Sequence, residues 1–279
     1  MSSKRSTFLI SALVFGFAFL YVPILLVMIY SFNEGKLVTV WAGFSTKWYV
    51  SLFSNDGMID AAWNSLRIGV MSATLALALG TPAGLVMSRF GRFKGRTLFS
   101  GMIAAPLVMP EVITGLSLLL LFVTLEQLVG WPAGRGISTI TIAHTTFCAA
   151  YVAVVVQSRL SGMDISVEEA AMDLGAKPAK IFFVITLPMI LPALLAGWLL
   201  SFTLSLDDLV IASFVAGPGS TTLPMKVFSS VRLGVSPEIN ALATLIILAV
   251  SIMIVIASIL ILRSERMRNR ASADAEAQS

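Results

Sequence analysis

The chain has 279 residues, of which 57% are hydrophobic and only 12% are charged. A soluble domain carries about 25% charged residues, so this composition excludes a soluble, disordered or fibrous protein and predicts an integral membrane protein. The formal net charge of +4 predicts no nucleic-acid partner, because basic residues in a membrane protein mainly set its orientation. A single cysteine, Cys148, excludes an intramolecular disulfide and a cysteine-based metal cluster.

Six apolar stretches are long enough to cross a bilayer, which takes about 20 residues of helix. The first is too long for the apolar region of a signal peptide and has no small-residue cleavage site after it, so we interpret it as a true span. The predicted spans are Thr7–Tyr30, Ala61–Met87, Leu98–Val123, Ser138–Val156, Ile185–Val215 and Ile239–Leu262. The sequence therefore predicts one all-α, six-helix transmembrane domain over residues 7–262, with a short segment 1–6 before it and a tail 263–279 after it.

The distribution of Lys and Arg between the loops orients these spans. Thirteen of the 19 basic residues fall in the N-terminal segment, the second-to-third loop, the fourth-to-fifth loop and the tail, and five fall on the opposite side. The positive-inside rule places both termini in the cytoplasm. An even number of spans requires both termini on one side, so the two arguments agree.

Motifs for catalysis are absent from the sequence. It contains no G-x-x-x-x-G-K-[ST] motif, no H-E-x-x-H motif and no cluster of Cys and His. We therefore predict no enzyme activity, no metal site and no P-loop for ATP in this chain. The one histidine, His144, lies in the fourth span, where it either relays protons or forms a hydrogen-bonded contact between helices; the second is favoured.

The loop between the fourth and fifth spans, residues 159–183, predicts a short cytoplasmic helix. Ser166 and Glu169 have the spacing of a capping box, which marks a helix start. Gly175 suits the left-handed residue that closes a helix, and Pro178 suits the first turn of the next one. The expected structure is a helix of two turns, with a sharp change of chain direction at each end.

This short helix has the surface of a docking site. Val167, Ala171 and Leu174 share one face at helical spacing, small residues allow close approach, and acidic residues surround them. Helices that rest on a membrane usually present Lys or Arg to lipid, so we favour a cytosolic protein partner. The predicted docking residues are Glu168, Glu169, Ala170, Ala171, Asp173, Leu174 and Gly175.

The stretch from Glu169 to Pro188 resembles the EAA loop of ATP-binding cassette (ABC) importer permeases, whose outline is E-A-A, then L-G-A, F and L-P. Further segments resemble the spermidine/putrescine branch of these permeases, so that the resemblance covers nearly the whole chain. They are Asn64-Ser-Leu, Pro106 to Pro110, Ser205-Leu-Asp-Asp-Leu, Gly217 to Pro224 and Pro237 to Ala241. The resemblance implies the type I importer permease (MetI-like) fold. It also implies that the short helix is a coupling helix, with Glu169 and Gly175 carrying much of the contact with an ATPase.

The resemblance further implies an assembly in a bacterial cytoplasmic (inner) membrane. A second permease subunit, a cytosolic ATPase dimer and an external, periplasmic polyamine-binding protein are the implied partners besides membrane lipid. The ATPase subunits are implied to bind ATP and Mg²⁺, while this chain holds no cofactor. The implied substrate is putrescine, with spermidine as an alternative.

Three acidic residues interrupt the apolar spans, namely Glu111, Asp207 and Asp208. An acid near the middle of a membrane costs about 2.5–3.5 kcal/mol, and the spans offer no obvious Lys or Arg partner. These acids therefore predict a cationic ligand. Pro188 and Pro192 fall early in the fifth span, and the aspartates follow about 15 residues later, roughly 22 Å at the helical rise. This places them in the outer half of the span; the alternative is that they only close the outer end of that helix.

Helical spacing separates the two aspartates. Ser201, Ser205 and Asp208 share one face of the fifth span, whereas Thr203 and Asp207 share another. We expect one aspartate to face substrate and the other to face a partner side chain or a helix end. The predicted substrate path comprises Glu111, Asp207, Asp208, Ser201, Thr203 and Ser205.

Prolines recur in the third and fifth spans. Pro106, Pro110 and Gly115 have the same spacing as Pro188, Pro192 and Gly197. Proline removes a backbone hydrogen bond and kinks a helix, and interrupted segments often flank a transport site. As a hypothesis, the two kinked helices form a moving wall; a chance pattern is the alternative.

Other transport classes stay open at this point. An ion-coupled secondary transporter of a small organic cation would use the acids as a relay, and a ligand-gated cation channel would use them as a ring. Neither requires an acidic docking helix, so an ABC importer permease is favoured. The outer loop from Gly217 to Asn240 is either a contact for the external binding protein or a simple turn.

Overall fold

A computed structural model describes residues 2–37, 40–233 and 237–252, together with residues 255 and 259. Regular structure in these residues is helical apart from one isolated antiparallel bridge between Asn33 and Phe44. The predicted all-α class is confirmed. The predicted tail 263–279 lies outside the described residues. Of the predicted sixth span, Ile239–Leu262, the structure describes residues 239–252, 255 and 259.

The helices are numbered here in chain order. They are α1 (Ser2–Tyr30), α2 (Lys47–Phe53), α3 (Asp56–Arg89), α4 (Arg96–Val108), α5 (Glu111–Val129), α6 (Ile137–Ser161), α7 (Ser166–Asp173), α8 (Pro178–Ile181), α9 (Leu187–Asp207), α10 (Val210–Val215), α11 (Leu223–Leu233) and α12 (Pro237–Ile252). A π-helical turn, Phe182–Thr186, joins α8 to α9.

Five helices in the described residues are long and apolar enough to cross a membrane: Phe8–Tyr30, Asp56–Arg89, Glu111–Val129, Ile137–Ser161 and Pro178–Asp207. The first, second and fourth of these contain or closely match the spans predicted there. The predicted sixth span corresponds to α12, which the structure describes as far as Ile252.

The third span is not the continuous helix that the sequence analysis predicts. Helix α4 ends at Val108 and α5 begins at Glu111. Met109 has φ −75° and ψ 137°, and Pro110 has φ −58° and ψ 136°. The ring of a proline disfavours helical backbone in the preceding residue, so Pro110 breaks the helix where a kink was expected.

The fifth span is also interrupted. Helix α9 ends at Asp207, and Asp208 has an extended backbone with φ −65° and ψ 124°. Two contacts with α6 then fix the direction of α10: Asp208 lies beside His144, and Thr139 donates a 2.7 Å hydrogen bond to the carbonyl of Val215. Thr139 precedes His144 by about 7.5 Å of helix, so α10 continues the span outward.

The described residues form two compact units, of which the larger is Gly57–Ser229. Its core surrounds α6 and has two apolar clusters. The outer cluster contains Ile68, Phe122, Ile140, Ala143, Ile211, Ala212 and Val215, and the inner cluster contains Ala76, Cys148, Val152, Val156, Leu160, Ile190 and Leu194. Cys148 is thus a buried apolar residue, as predicted.

Two glycines let α3 approach α6 closely. A Cβ at Gly80 would lie 2.6 Å from Val152 Cβ, and one at Gly84 would lie 2.7 Å from the Ala153 carbonyl oxygen. Small residues four apart are a common way to pack transmembrane helices. Helix α6, with its polar residues, is therefore held firmly against α3.

The other unit consists of Met1–Asp56 and Ser230–Ser279. The Asn33 side chain organises its outer loop, since Nδ2 donates to the carbonyls of Leu37 and Val40 and Oδ1 accepts from the Ala42 N–H. Glu238, in the first turn of α12, accepts hydrogen bonds from Ser51 and Asn55. These contacts join α2 to the start of α12.

Candidate transport cavity and coupling helix

The breaks in the third and fifth spans open onto one cavity. Its volume is about 330 Å³, and it lies between the α4–α5 break, α6 and the α9–α10 break. The lining residues are Pro106, Leu107, Met109, Glu111, Thr114, Phe147, Tyr151, Leu204, Asp207, Asp208, Leu209, Val210 and Ile211. None of these residues is Lys or Arg, so the formal charge of the lining comes from acids alone.

Two of the acids, Glu111 and Asp207, are exposed at the ends of helices. Glu111 is the first residue of α5, and Asp207 is the last residue of α9. Neither forms an ion pair with a residue that the structure describes. A helix C-terminus carries partial negative charge, which adds to the carboxylate of Asp207. The cavity therefore favours a cation beside Asp207.

Asp208 has a different environment, although it also lines the cavity. Its side chain is buried, and its carboxylate accepts hydrogen bonds from the backbone N–H groups of Ile211 (3.3 Å) and Ala212 (2.8 Å). Its Oδ2 also lies 3.0 Å from Nε2 of His144. Asp208 thus closes the N-terminal end of α10 and faces a partner side chain. This arrangement is the one expected for one of the two aspartates.

His144 is completely buried in α6 and contacts α9 as well as Asp208. Its Nδ1 lies 2.6 Å from the hydroxyl oxygen of Ser205. The predicted hydrogen-bonded contact between helices is therefore confirmed. Its two partners on the fifth span lie 61 and 64 residues away in the sequence. The sequence alone therefore could not identify them.

The structure does not place the three other polar residues of the predicted path along the cavity lining. Ser201 is fully buried beside Cys148, and Ser205 is held by His144. Thr203 is exposed, and its hydroxyl donates to the carbonyl of Leu199 on its own helix.

Thr114 and Tyr151 line the cavity but were not predicted. Thr114 follows Glu111 by three residues, and that spacing puts both on one face of a helix. This signal was present in the sequence. For Tyr151, the sequence gives no comparable signal.

The proline pattern is not a structural repeat. Pro106 lies inside α4 and lines the cavity, and Pro110 breaks the third span. Pro188 falls in the first turn of α9, directly after the π-helical turn, and α9 continues through Pro192. The fifth span breaks instead at Asp208, so the two sets of prolines do not break their spans at matching positions; the moving wall stays a hypothesis.

The predicted coupling helix is α7, Ser166–Asp173, which begins at the predicted residue but without the predicted capping interaction. No capping box forms. Instead, Oδ1 of Asp164 accepts a 3.0 Å hydrogen bond from the Ser166 N–H, which lowers the pKa of Asp164. The Asp164 side chain, two residues before Ser166, therefore accepts an N–H of the first turn in place of the predicted capping box.

The end of α7 agrees with the prediction. Gly175 has φ +82°. The Ala176 N–H donates to the Ala171 carbonyl (3.0 Å), and the Gly175 N–H donates to the Met172 carbonyl (2.8 Å). These two bonds form a Schellman motif. Pro178 then begins α8, as expected.

The surface of α7 is largely uncovered in this chain. Leu174 is 89% exposed and Val167 is 43% exposed. Glu169, Ala170, Asp173 and Gly175 are also exposed, and Ala171 is partly buried. Val167 and Leu174 lie seven residues apart, so they share one face of the helix and form an exposed apolar surface with acidic neighbours, which fits a protein–protein contact.

Glu168 does not belong to this exposed surface. Its carboxylate pairs with Arg89 at the cytoplasmic end of α3, with Nη2–Oε1 and Nε–Oε2 distances of 3.1 Å. Arg89 Nη1 also donates to the Leu160 carbonyl of α6 (3.0 Å), and the Thr186 hydroxyl donates to Glu168 Oε1 (3.0 Å). We call these four residues the cytoplasmic junction. It joins α7 to three spans. From the sequence alone, Arg89 contributes only to the orientation of the spans.

Comparisons with known proteins place the chain in a transport family. The family described as "Binding-protein-dependent transport system inner membrane component" matches residues 80–269. The chain is 64% identical over 266 residues to the "Putrescine transport system permease protein PotI" of Escherichia coli (strain K12), which covers 95% of each chain. It is 44% identical over 254 residues to the "Spermidine/putrescine transport system permease protein PotC" of the same strain, covering 91% of this chain and 93% of the relative.

Solved structures share the fold at low sequence identity. A chain of a bacterial ABC transporter involved in the import of the acidic polysaccharide alginate has a TM-score of 0.69 at 18% identity, covering 93% of this chain and 97% of the other. A chain of the MetNI methionine ABC transporter, in an inward-facing conformation, has a TM-score of 0.60 at 18% identity, covering 74% and 95%. The fold predicted from the sequence, that of an ABC importer permease, is therefore confirmed.

Proposed function

Because this chain belongs to the family of binding-protein-dependent transport system inner membrane components, we propose that it is the permease subunit of an ABC importer for polyamines. Putrescine is the main substrate and spermidine a second one. The chain is a multi-pass protein of the inner membrane. Its relatives named for putrescine and for spermidine/putrescine transport support this substrate class.

The cavity between the two helix breaks is the observation that carries the proposal. Two exposed carboxylates, Glu111 and Asp207, border about 330 Å³ of space whose described lining has no Lys or Arg. An acid inside a membrane span is costly without a partner, and an ammonium group provides that partner. Putrescine carries an ammonium group at each end, so each acid has one group to receive.

The described tyrosine and threonine of the lining complete the site. Tyr151 and Thr114 offer hydroxyl oxygens that accept hydrogen bonds from an ammonium group. Phe147 and Leu204 offer apolar surface for a chain of methylene groups. Such a mixture of a few polar groups and apolar walls is the usual lining of a small-molecule site.

In the proposal, the energy of ATP hydrolysis is transmitted to the membrane spans through α7. In the proposal, Leu174 and its exposed neighbours dock on a cytosolic ATPase dimer, which binds ATP and Mg²⁺ and carries out hydrolysis. The chain itself then needs no ATPase site. The cytoplasmic junction passes the movement of α7 to α3, α6 and α9, because Arg89, Glu168, Leu160 and Thr186 are bonded to one another.

The remaining partners complete the path. An external binding protein delivers the polyamine to the outer side, and a second permease subunit supplies the facing half of the pathway. The outer loop from Gly217 to Asn240 is the proposed contact for the binding protein; its residues 234–236 lie outside the described part.

The test is ATP hydrolysis by the purified complex in lipid nanodiscs, with the binding protein and with or without putrescine. We expect putrescine-loaded binding protein to stimulate hydrolysis, and we expect Glu169→Ala to remove the stimulation. A stable complex that responds to neither putrescine nor spermidine would contradict the substrate. Uptake that a proton gradient drives without ATP would support an ion-coupled carrier instead.

A further inference from the structure

We propose that His144 is a positioning residue for transport: it holds the break between α9 and α10 in the shape that turns Asp207 toward the cavity. This inference rests on the proposed function, because it assigns a role in the same cavity. His144 is not among the described residues that line the cavity. Its effect on substrate must therefore pass through the groups that it bonds.

Both nitrogens of the His144 ring are bonded to the interrupted fifth span. Nδ1 contacts Ser205 in the last turn of α9 at 2.6 Å, and Nε2 contacts Asp208, in the break itself, at 3.0 Å. Asp208 in turn accepts the N–H groups of Ile211 and Ala212 in α10. One imidazole on α6 therefore fixes the segments on both sides of the break.

The hydrogen positions follow from the acceptors. Both oxygens of Asp208 already accept backbone N–H groups, and a carboxylate only accepts. With Asp208 ionised, the hydrogen between Asp208 and the ring belongs to Nε2. In a neutral imidazole, Nδ1 is then the acceptor and the Ser205 hydroxyl is the donor. Every polar atom of the ring is used.

Burial makes these bonds difficult to replace. His144 has no exposed surface and Asp208 is 8% exposed. Within a membrane span, polar groups that lose a partner must find another inside the protein. A carboxylate that loses its His144 bond would keep its two backbone donors but would lose its connection to α6. The break would then be held to α6 only through α10, whose Val215 carbonyl accepts a hydrogen bond from Thr139, and the Asp208 backbone could turn.

That rotation would move Asp207 first, because it is the residue next to Asp208. It would also move α10, which packs on α5 where a Cβ at Gly115 would lie only 2.6 Å from the Phe214 ring. Gly115 is four residues from Glu111, so α10 also borders the helix that carries the second acid. His144 therefore sets the positions of both carboxylates without touching substrate.

Two substitutions of His144 distinguish the effect of its hydrogen bonds from the effect of its side-chain volume. In His144→Gln, the amide keeps one donor and one acceptor. In His144→Phe, a ring of similar size has neither. Thr146→Val is the matched control, because Thr146 is exposed on the same helix and its hydroxyl bonds only the Ile142 carbonyl among the described contacts.

The first measurement is putrescine uptake by the complete importer in proteoliposomes, at saturating loaded binding protein. We expect His144→Phe to lower uptake at least tenfold while the complex still assembles. We expect His144→Gln and Thr146→Val to stay within about threefold of the unchanged protein, a difference of about 0.65 kcal/mol. Combining His144→Phe with Asp208→Asn should be little worse than Asp208→Asn alone, since both remove one connection.

The second measurement does not depend on the substrate. Asp207→Cys in a Cys148→Ala background leaves one thiol in this chain, and its rate of labelling by a cationic methanethiosulfonate reports how accessible position 207 is. We expect His144→Phe to change the labelling rate at least fivefold and His144→Gln to restore it. Unchanged labelling in His144→Phe, or equal losses in the Gln and Phe variants, would overturn the inference. Absence of putrescine uptake in the unchanged protein would instead overturn the proposed function, and the labelling result would still decide the role of His144.

Discussion

The coupling helix and the transport cavity are built by different kinds of interaction. Helix α7 is delimited by its own neighbours in sequence: Asp164 bonds its first turn and the left-handed Gly175 ends it. The cavity, in contrast, depends on contacts between distant residues, above all His144 with Ser205 and Asp208. Local sequence therefore forms the proposed coupling surface, and tertiary packing forms the proposed substrate site.

The two regions also use their acids in opposite ways. In the coupling region, Glu168 is bonded within the chain and Glu169 is left exposed for a partner. In the cavity, Asp208 is bonded within the chain and Asp207 is left exposed. In each pair of adjacent acids, one holds the region together and the other is available for an external partner. Substitutions within each pair should therefore have different effects.

The exposed acid of the coupling pair should give the largest effect. We expect Glu169→Ala to abolish ATP-driven putrescine uptake, because it removes a charge from the docking surface while α7 itself stays folded. The measurement is uptake together with the amount of ATPase that co-purifies. Ser166→Ala, at the other end of α7, is the control and should keep uptake; normal uptake in Glu169→Ala would remove the proposed docking role.

The end of α7 should be nearly as sensitive. Gly175 has φ +82° and open space around a Cβ, so a side chain there meets backbone strain of about 1–2 kcal/mol rather than a clash. We expect Gly175→Val to lose most uptake and Gly175→Asn to keep much of it, because asparagine tolerates this conformation.

Gly162 provides the matched control for that comparison. It lies in the same cytoplasmic loop with φ −88°, where alanine is not strained. Gly162→Ala should leave uptake unchanged. Equal losses in Gly175→Val and Gly175→Asn would show that the size of the side chain, and not the backbone conformation, matters at position 175.

The bonded acid of the cavity pair should affect stability. Asp208→Asn replaces an acceptor oxygen with an amide that donates, which leaves a buried N–H without its acceptor and costs roughly 1–3 kcal/mol. We expect the thermal unfolding temperature of the complex to fall. Asp207→Asn, at the exposed neighbour, should leave that temperature unchanged; a larger fall in Asp207→Asn would reverse the assignment of the two aspartates.

The cytoplasmic junction should affect coupling more than it affects stability. Arg89 and Glu168 each have 14% of their side chains exposed, and Arg89→Ala leaves the Glu168 carboxylate without its ion pair, so we expect it to cost about 1–3 kcal/mol. Its effect on coupling should be more visible: the ATPase still co-purifies, but putrescine stimulates hydrolysis less. Arg92→Ala, an exposed arginine in the same loop, is the control, and equal results for both arginines would contradict a role for the junction.

What the sequence could predict follows from the same contrast. The positions of the spans, the bounds of α7 and the Gly175–Pro178 corner depend on composition and on residues a few positions apart, so they could be predicted. The break at Pro110 could not be singled out, because a proline is tolerated inside α4 at Pro106 and inside α9 at Pro192. The break at Asp208 has no proline to mark it. Neighbouring helices decide which proline breaks a span.

For a related reason, the sequence predicts only part of the cavity lining. Glu111 and Asp207 stand out as charges within apolar spans, and the structure brings both to one cavity. The orientation of Ser201 and Ser205 toward α6 depends on which face of α9 packs there, and an apolar helix as uniform as α9 does not reveal that face. Arg89 was missed because its partners lie 71 and 79 residues away.

The central claim is that Glu111 and Asp207 together receive the polyamine. The most direct measurement is ATP-driven putrescine uptake in proteoliposomes by the complex that carries both Glu111→Gln and Asp207→Asn. Thr203→Val, an exposed change on α9 away from the cavity lining, is the control. We predict that the double variant assembles with the ATPase but takes up putrescine at least tenfold more slowly, a loss of about 1.4 kcal/mol or more in the barrier, while Thr203→Val transports normally. Uptake in the double variant equal to that of the unchanged protein would contradict the claim.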